Sequence, residues 1–265
     1  MFELKNITLA YGELKVLDGF NMKGEAEESI CLFGPSGTGK TTILNVLAGI
    51  LTPGSGSVVS DNRRIAYVFQ EPRLLPWLTV EENMEIGLFR LDRDAGRRKE
   101  IVRQLLPQIG LEAFGHYYPE QLSGGMMQRV SIGRAFVVQP DLLLLDEPFS
   151  GLDEALKVEM QDLLLTLKKH HRCTTVMVTH DLQEAIKLSD RIIVVDGRPC
   201  RIILNITSNP EDRRQPPEKS VVAEKIKLAM HKQTINKGMI IDEKKDHAPV
   251  ALPGAGALYG GLRWK

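Results

Sequence analysis

Short apolar segments and stretches of helical period alternate along this chain. Segments 3–9, 29–33, 64–69, 142–146, 174–178 and 191–195 are β-branched or apolar and read as strands. Between several of them, 40–50, 125–138, 154–171 and 181–188 carry apolar positions at helical spacing. The alternation predicts an α/β domain built on a largely parallel, buried sheet. The early segment, with Tyr11-Gly12 and Leu17-Asp18-Gly19 as turn signals, reads instead as antiparallel strands appended to that sheet.

The strand signal stops between 72 and 139. There 79–89 and 95–109 read as amphipathic helices, with Thr79 an N-cap and Glu82 in capping-box register. The expected organisation is a principal domain at 1–205 with a helical insertion at about 72–139. Residues 206–265 follow as a C-terminal extension, partly helical and then flexible. Within it, 218–231 has the pattern of one basic helix, and 249–265 is rich in Gly and Ala. Arg213, Arg214, Lys219, Lys225, Lys227 and Lys232 make the region basic, which fits a solvated helix face better than an anionic membrane surface.

Composition then excludes some partners. Of 265 residues 43% are hydrophobic, and Lys+Arg equals Asp+Glu at 34 each, so neither disorder nor a surface for nucleic acid is expected. Phosphate affinity therefore has to be local. Cys31, Cys173 and Cys200 stand singly, with no zinc or disulfide spacing, which fits a reducing compartment. The longest apolar runs, 142–145 and 192–195, fall far short of the ~18–20 residues that span a bilayer, and no secretory signal pattern opens the chain. A soluble, cytoplasmic protein is expected.

The strongest chemical signal is Gly34-Pro35-Ser36-Gly37-Thr38-Gly39-Lys40-Thr41, a G-x-x-x-x-G-K-[ST] motif between an apolar strand and a helical pattern. Glycines there let backbone N–H groups turn inward around a β-phosphate, and the helix start adds its positive end. Lys40 brings a full charge toward the β- and γ-phosphates, and the Thr41 hydroxyl suits Mg²⁺. A second element, Leu142-Leu143-Leu144-Leu145-Asp146-Glu147, ends an apolar strand in two carboxylates. Asp146 can hold the hydration shell of Mg²⁺ while Glu147 polarises an attacking water; taken alone, the pair is equally compatible with capping a helix. The third is Leu122-Ser123-Gly124-Gly125-Met126-Met127-Gln128, a second anion-binding helix start in one chain. The economical reading places Ser123, Gly124 and Gly125 on the γ-phosphate held by another copy, so that ATP joins two subunits.

Together these motifs resemble the ATP-binding subunit of ABC transporters over 1–204. That family's fold is an α/β P-loop NTPase: a RecA-like parallel-sheet core, an antiparallel β subdomain and a helical insertion. The resemblance implies that Tyr11 stacks on adenine and that residues 34–41, together with Thr42, cradle the phosphates. It further implies that Thr41, Gln70 and Asp146 serve Mg²⁺, and that Ser123, Gly124, Gly125, Gln128 and Asp153 reach nucleotide across a dimer. Catalysis would fall to Glu147 and His180 with Lys40 and Gln70. Individually, Tyr11 also reads as a strand-end aromatic, Gln70 as a loop residue, and Asp153 and His180 as helix caps. Gly151 stands where the family often has alanine.

Gln70-Glu71-Pro72-Arg73-Leu74-Leu75-Pro76-Trp77, with Tyr118-Pro119-Glu120-Gln121 ahead of the serine-glycine motif, is similar to the nitrate, sulfonate and taurine importer branch. That likeness implies two transmembrane permease subunits and, indirectly, a substrate-binding protein as partners. Trp77 would anchor a permease helix, or else Leu74, Leu75 and Trp77 pack inward. An exporter or lipid-transport ATPase, or a soluble ABC ATPase away from membranes, is the alternative; the paired cassettes and long coiled-coil insertion usual in the soluble group are missing from this sequence.

Overall fold

The computed structural model describes residues 1–214 and 220–232. Its strands are Phe2–Tyr11 (β1), Leu14–Gly24 (β2), Ser29–Phe33 (β3), Ser55–Ser60 (β4), Ile65–Val68 (β5), Leu142–Asp146 (β6), Thr174–Thr179 (β7), Arg191–Asp196 (β8) and Arg201–Thr207 (β9). Its α-helices are Lys40–Leu47 (α1), Val80–Glu85 (α2), Ala95–Leu105 (α3), Gly124–Phe136 (α4), Glu154–His171 (α5), Leu182–Leu188 (α6), Pro210–Arg214 (α7) and residues 221–232 (α8). The six-stranded sheet has the order β5-β6-β7-β3-β8-β9, parallel throughout except for β9, which returns antiparallel to β8. A second, three-stranded antiparallel sheet has the order β2-β1-β4.

The parallel sheet is covered on both faces, and its strands show it residue by residue. Along β6, Leu143 and Leu145 join the hydrophobic core that contains α4, α5 and the inserted helices. Leu142 and Leu144 join the core shared with α1 and the antiparallel sheet. A run of four leucines is what a strand buried on both sides requires, each side chain contributing ~1.5–3 kcal/mol on leaving water. Because β3, β6 and β7 run parallel, their C-terminal ends emerge along one edge, where ligands bind in open α/β sheets.

Several boundaries differ from those the pattern predicts. Leu17-Asp18-Gly19 is no turn: it lies inside β2, where Gly19 takes φ +62° and the pairing with β1 shifts register. Strand β4 carries no readable alternation because all six of its residues are exposed. The helix expected over 40–50 ends at Leu47, ahead of Gly49 at φ +71°. That expected over 95–109 breaks at Pro107 into a 3₁₀ turn, and that over 79–89 tightens into 3₁₀ geometry after Glu85. The capping box of Thr79 and Glu82 is formed.

The boundary expected near 205 falls inside β9, and the chain beyond it folds back on the core. Arg213 Nη2 meets Asp190 Oδ1 at 2.6 Å, and Val222, Ala223 and Ile226 of α8 are buried in the core that holds α5. Lys225 and Lys227 belong to this helix, whose apolar face is seated against the domain. Lys219 and residues 249–265 lie outside the described residues.

Candidate nucleotide site

The phosphate loop leaves β3 at Gly34 and enters α1 at Lys40. Gly34 lies hard against β8: a Cβ added there would sit 2.2 Å from the Val195 carbonyl oxygen. Gly39, the N-cap of α1, takes φ +98°, a conformation that only glycine adopts without strain, and its Cα faces Val16. Thr38 Oγ1 donates to the Pro35 carbonyl at 2.9 Å, closing the loop on itself. The ammonium of Lys40, 4% exposed, lies within the loop and donates to the carbonyls of Gly34 and Pro35, both at 2.8 Å. Burial lowers its pKa, an effect opposed by the charges of Glu147 and Asp146. A cation under that strain is stabilised by any added negative charge.

The three strand ends converge on this loop. Thr41 Oγ1 donates to Asp146 Oδ1 at 3.0 Å, and Tyr67 Oη donates to Asp146 Oδ2 at 3.3 Å. Burial raises the pKa of Asp146, with Glu147 adding repulsion; the Thr41 and Tyr67 hydroxyls and the Lys40 charge oppose the rise. Glu147 follows at φ +44°, in the left-handed region, held there by its N–H on the Val178 carbonyl at 3.0 Å. Its Oε2 lies 3.2 Å from Nδ1 of His180, which follows β7. Gln70, past β5, donates through Nε2 to Ser150 Oγ at 3.3 Å.

A cleft of about 270 Å³ runs from the loop to β2, lined by Leu14, Val16, Ser36, Gly37, Gly39, Lys40, Thr41, Thr42, Glu147 and Arg198. Tyr11 ends β1 nearby and is 51% exposed. Leu14, Val16 and Arg198 were not legible as site residues. The first two look like ordinary strand positions, and Arg198 reaches the loop only through the β8–β9 turn, its Nε donating to the Gly37 carbonyl at 2.6 Å.

The serine-glycine motif sits apart from the phosphate loop's own cleft. Ser123 caps α4 through Met126 N–H, and its residue and Gly124 are exposed. Nothing lies within 4 Å of a Cβ placed at Gly124, whereas Gly125 is packed against Leu156. Gln128, assigned to nucleotide from sequence, is buried and donates Nε2 to the Pro148 carbonyl at 2.5 Å, tying α4 to the loop after β6. Asp153 is exposed and caps α5 through Leu156 N–H at 3.0 Å. Asp181, not His180, caps α6.

A phosphate loop that buries its lysine, a hydroxyl-carboxylate pair and a carboxylate-imidazole pair on one sheet edge define a nucleoside triphosphate hydrolase. Comparison with known proteins agrees. The ABC transporter family profile matches residues 17–150. The aliphatic sulfonates import ATP-binding protein SsuB 2 of Pseudomonas syringae pv. tomato is 43% identical over 210 residues, 78% of this chain and 88% of that protein. SsuB 2 of Burkholderia cenocepacia is 38% identical over 238 residues, 86% of each. Among solved structures, the dimeric ATP-binding cassette MJ0796 in a post-hydrolysis state bound to ADP and Pi superposes at a TM-score of 0.71 with 32% identity, covering 79% of this chain and 99% of that one. The chain belongs to the ABC transporter family. It is an ATP-binding cassette and an ATP hydrolase, and none of its described helices is long and apolar enough to cross a membrane.

Proposed function

We propose that this cassette powers an importer of a small sulfonate or related oxyanion, working as an ATP-bridged pair on the inner face of a membrane beside two permease subunits and a substrate-binding protein. The observation that carries the catalytic part is the convergence of Thr41, Asp146, Glu147 and His180 at the ends of β3, β6 and β7. The cargo class rests on identity to sulfonate import proteins and on the segment 70–77. The paired state rests on the likeness to a dimeric cassette and on the open, exposed tip of α4 at Ser123 and Gly124.

The chemistry follows from the residues. The Lys40 ammonium exchanges the carbonyls of Gly34 and Pro35 for β- and γ-phosphate oxygens, gaining a charge partner in a buried site. Tyr11 covers the base at the open end of the cleft. Thr41 and Asp146 offer a hydroxyl and a carboxylate within 3.0 Å of each other, hard oxygen donors that suit Mg²⁺, with Gln70 as a further ligand. That ion, when bound, neutralises charge on the transferring phosphoryl group. Glu147 takes the proton of the attacking water, and His180, held against it, orients that water and hydrogen-bonds the γ-phosphate. Ser123, Gly124, Gly125 and Asp153 meet the nucleotide of the second copy, so loss of the γ-phosphate opens the pair. Gln128 assists by fixing α4 against Pro148.

Lys40→Ala should abolish ATP-dependent pairing in size-exclusion chromatography; unaltered pairing contradicts the bridge. Disrupting the gene should remove growth on an alkanesulfonate as the only sulfur source. Normal growth would reject the cargo while leaving the ATPase assignment intact.

A further inference from the structure

Beside the Glu147–His180 pair lies a second, smaller cavity of about 120 Å³, lined by the loop 149–152, by Lys157 and by Thr179, His180, Asp181 and Glu184. Among the described residues, Lys157 is the lysine that lines this space. Lys157, one turn into α5, places Nζ 2.5 Å from Asp181 Oδ2 and 3.1 Å from Glu184 Oε1. Both neighbours of His180 depend on those carboxylates. Thr179 Oγ1 donates to Glu184 Oε2 at 2.6 Å and accepts from Asp181 N–H at 3.0 Å. Asp181 in turn caps α6 through the N–H groups of Gln183 and Glu184, at 2.8 and 3.3 Å.

The cluster is too deeply placed to be a solvated ion pair. Glu184 is 3% exposed and the Lys157 side chain 17%, so each would leave a costly unpaired charge if the other were removed. Burial raises the pKa of Glu184 although Thr179 and Lys157 both favour its ionised form; burial also opposes the charge on Lys157, yet the hydrogen bonds it donates to the carboxylates of Asp181 and Glu184 keep its pKa raised. The groups Lys157 meets are two carboxylates, Asp181 on the β7–α6 connection that carries His180 and Glu184 in the first turn of α6. The other end of the bridge is fixed to α5, whose N-cap Asp153 closes the loop that begins at Ser150. Ser150 accepts from Gln70.

We infer that Lys157 is a positioning residue for His180, setting the imidazole against Glu147 and transmitting to it the placement of the loop 150–153. This rests on the proposed role of His180 at the γ-phosphate. Lys157 lines this second cavity and not the cleft at the phosphate loop. It acts by clamping Asp181 and Glu184, so the residues on both sides of His180 move only with α5. Any displacement of the loop 150–153 by a second copy therefore reaches His180 through a salt bridge, without a contact of its own to the nucleotide.

A double-mutant cycle on the full chain tests this, using Lys157→Met, His180→Ala, the combination of both, and Lys157→Arg. Lys157→Met should lower kcat about ten-fold with KM for MgATP changed by less than about two-fold, the signature of lost transition-state placement. Lys157→Arg should restore most of the rate, because the charge and reach are kept. In the His180→Ala background, adding Lys157→Met should change kcat by less than about two-fold, since residues acting as one unit are non-additive. Equal losses in both backgrounds, unchanged kcat, or a rise in KM alone would overturn the inference. Should Lys157→Met not fold, Glu184→Gln goes through the same cycle with the same criteria. Full activity of His180→Ala would instead defeat the role given to His180, a separate result visible before Lys157 is touched.

Discussion

Thr41 Oγ1 and Asp146 Oδ1 stand 3.0 Å apart although 105 positions separate them in the chain. The first residue lies in the first turn of α1, which follows β3, and the second ends β6; the two strands run parallel with β7 between them, so both residues emerge at one edge of the sheet. A hydroxyl alone binds Mg²⁺ weakly and a buried carboxylate alone is held back by desolvation. Together, and with phosphate oxygens, they complete a set of hard donors.

Asp146→Asn should therefore remove the dependence on Mg²⁺ more than the affinity for nucleotide. Turnover is expected to fall at least ~100-fold, as for loss of a main charge-stabilising group. Binding of ATP measured in EDTA should stay within ~3-fold, because Lys40 and the loop amides remain. The check is calorimetric titration with and without Mg²⁺. A large loss of metal-free binding in the variant would show that Asp146 supports the loop itself.

Glu147→Gln keeps the shape of the site and removes the base. The backbone at φ +44° and its N–H bond to Val178 do not depend on the side-chain charge. ATP hydrolysis should drop by ~10²–10⁴, the usual span for a general base. ATP binding should persist, and the ATP-bridged pair should accumulate on a sizing column because its γ-phosphates are no longer cleaved. Turnover near the unaltered rate would move the base elsewhere, with His180 the nearest group.

How much of this was legible beforehand depends on whether the signal was local. The phosphate loop and the leucine strand are read directly, because glycine freedom and two-sided burial leave marks in consecutive residues. The exposed strand β4 leaves no such mark, and Gly19 looks like a turn although β2 runs through it with a shifted register. Arg198 was invisible for a different reason: its bond to Gly37 spans 161 positions and depends on β8 lying beside β3. The bond of Gln128 to the Pro148 carbonyl was equally hidden, because its spacing from Ser123 does not say which way the amide turns. The sequence left open whether Leu74, Leu75 and Trp77 all pack inward or Trp77 faces a partner. The structure separates them, with Leu74 against the core and Trp77 outward.

Asp141 gives the fold a pH-dependent latch. Its Oδ2 accepts from the N–H groups of Arg63 and Arg64 at 3.0 and 2.9 Å, and Oδ1 from Arg64 Nη2 at 3.0 Å, fastening the start of β5 to that of β6. Burial would raise its pKa, but the Arg64 side chain and the two backbone donors outweigh it, and the carboxyl is held below its ordinary value. A depressed folded-state pKa means that stability is present above the unfolded value of ~3.9 and is lost as pH falls through the folded value. Asp141→Asn should lower stability at pH 7 by ~1 kcal/mol, a modest figure because the side chain is partly exposed. The expected drop in Tm is ~2–4 °C, and the gap should close below about pH 4. A constant gap down to pH 3 would show that the charge plays no part.

Trp77 is 68% exposed on a segment that is otherwise firmly held. Arg134 donates to the carbonyls of Arg73 and Pro72 at 2.9 and 2.7 Å. Asn83, fully buried, accepts from Leu75 N–H at 2.8 Å and donates to the carbonyls of Leu75, Leu78 and Thr79. A large aromatic ring offered to solvent on a rigid loop loses little entropy on binding, which is the profile of an interface anchor. Trp77→Ala should weaken association with the detergent-solubilised permease pair by about 2 kcal/mol, roughly thirty-fold in Kd. Asn83→Ala should weaken it too, through loss of loop order, while also lowering Tm. If Trp77→Ala binds the permeases with unchanged affinity, the membrane partner engages another face of the cassette, and the rigid loop serves only to pack the helical insertion.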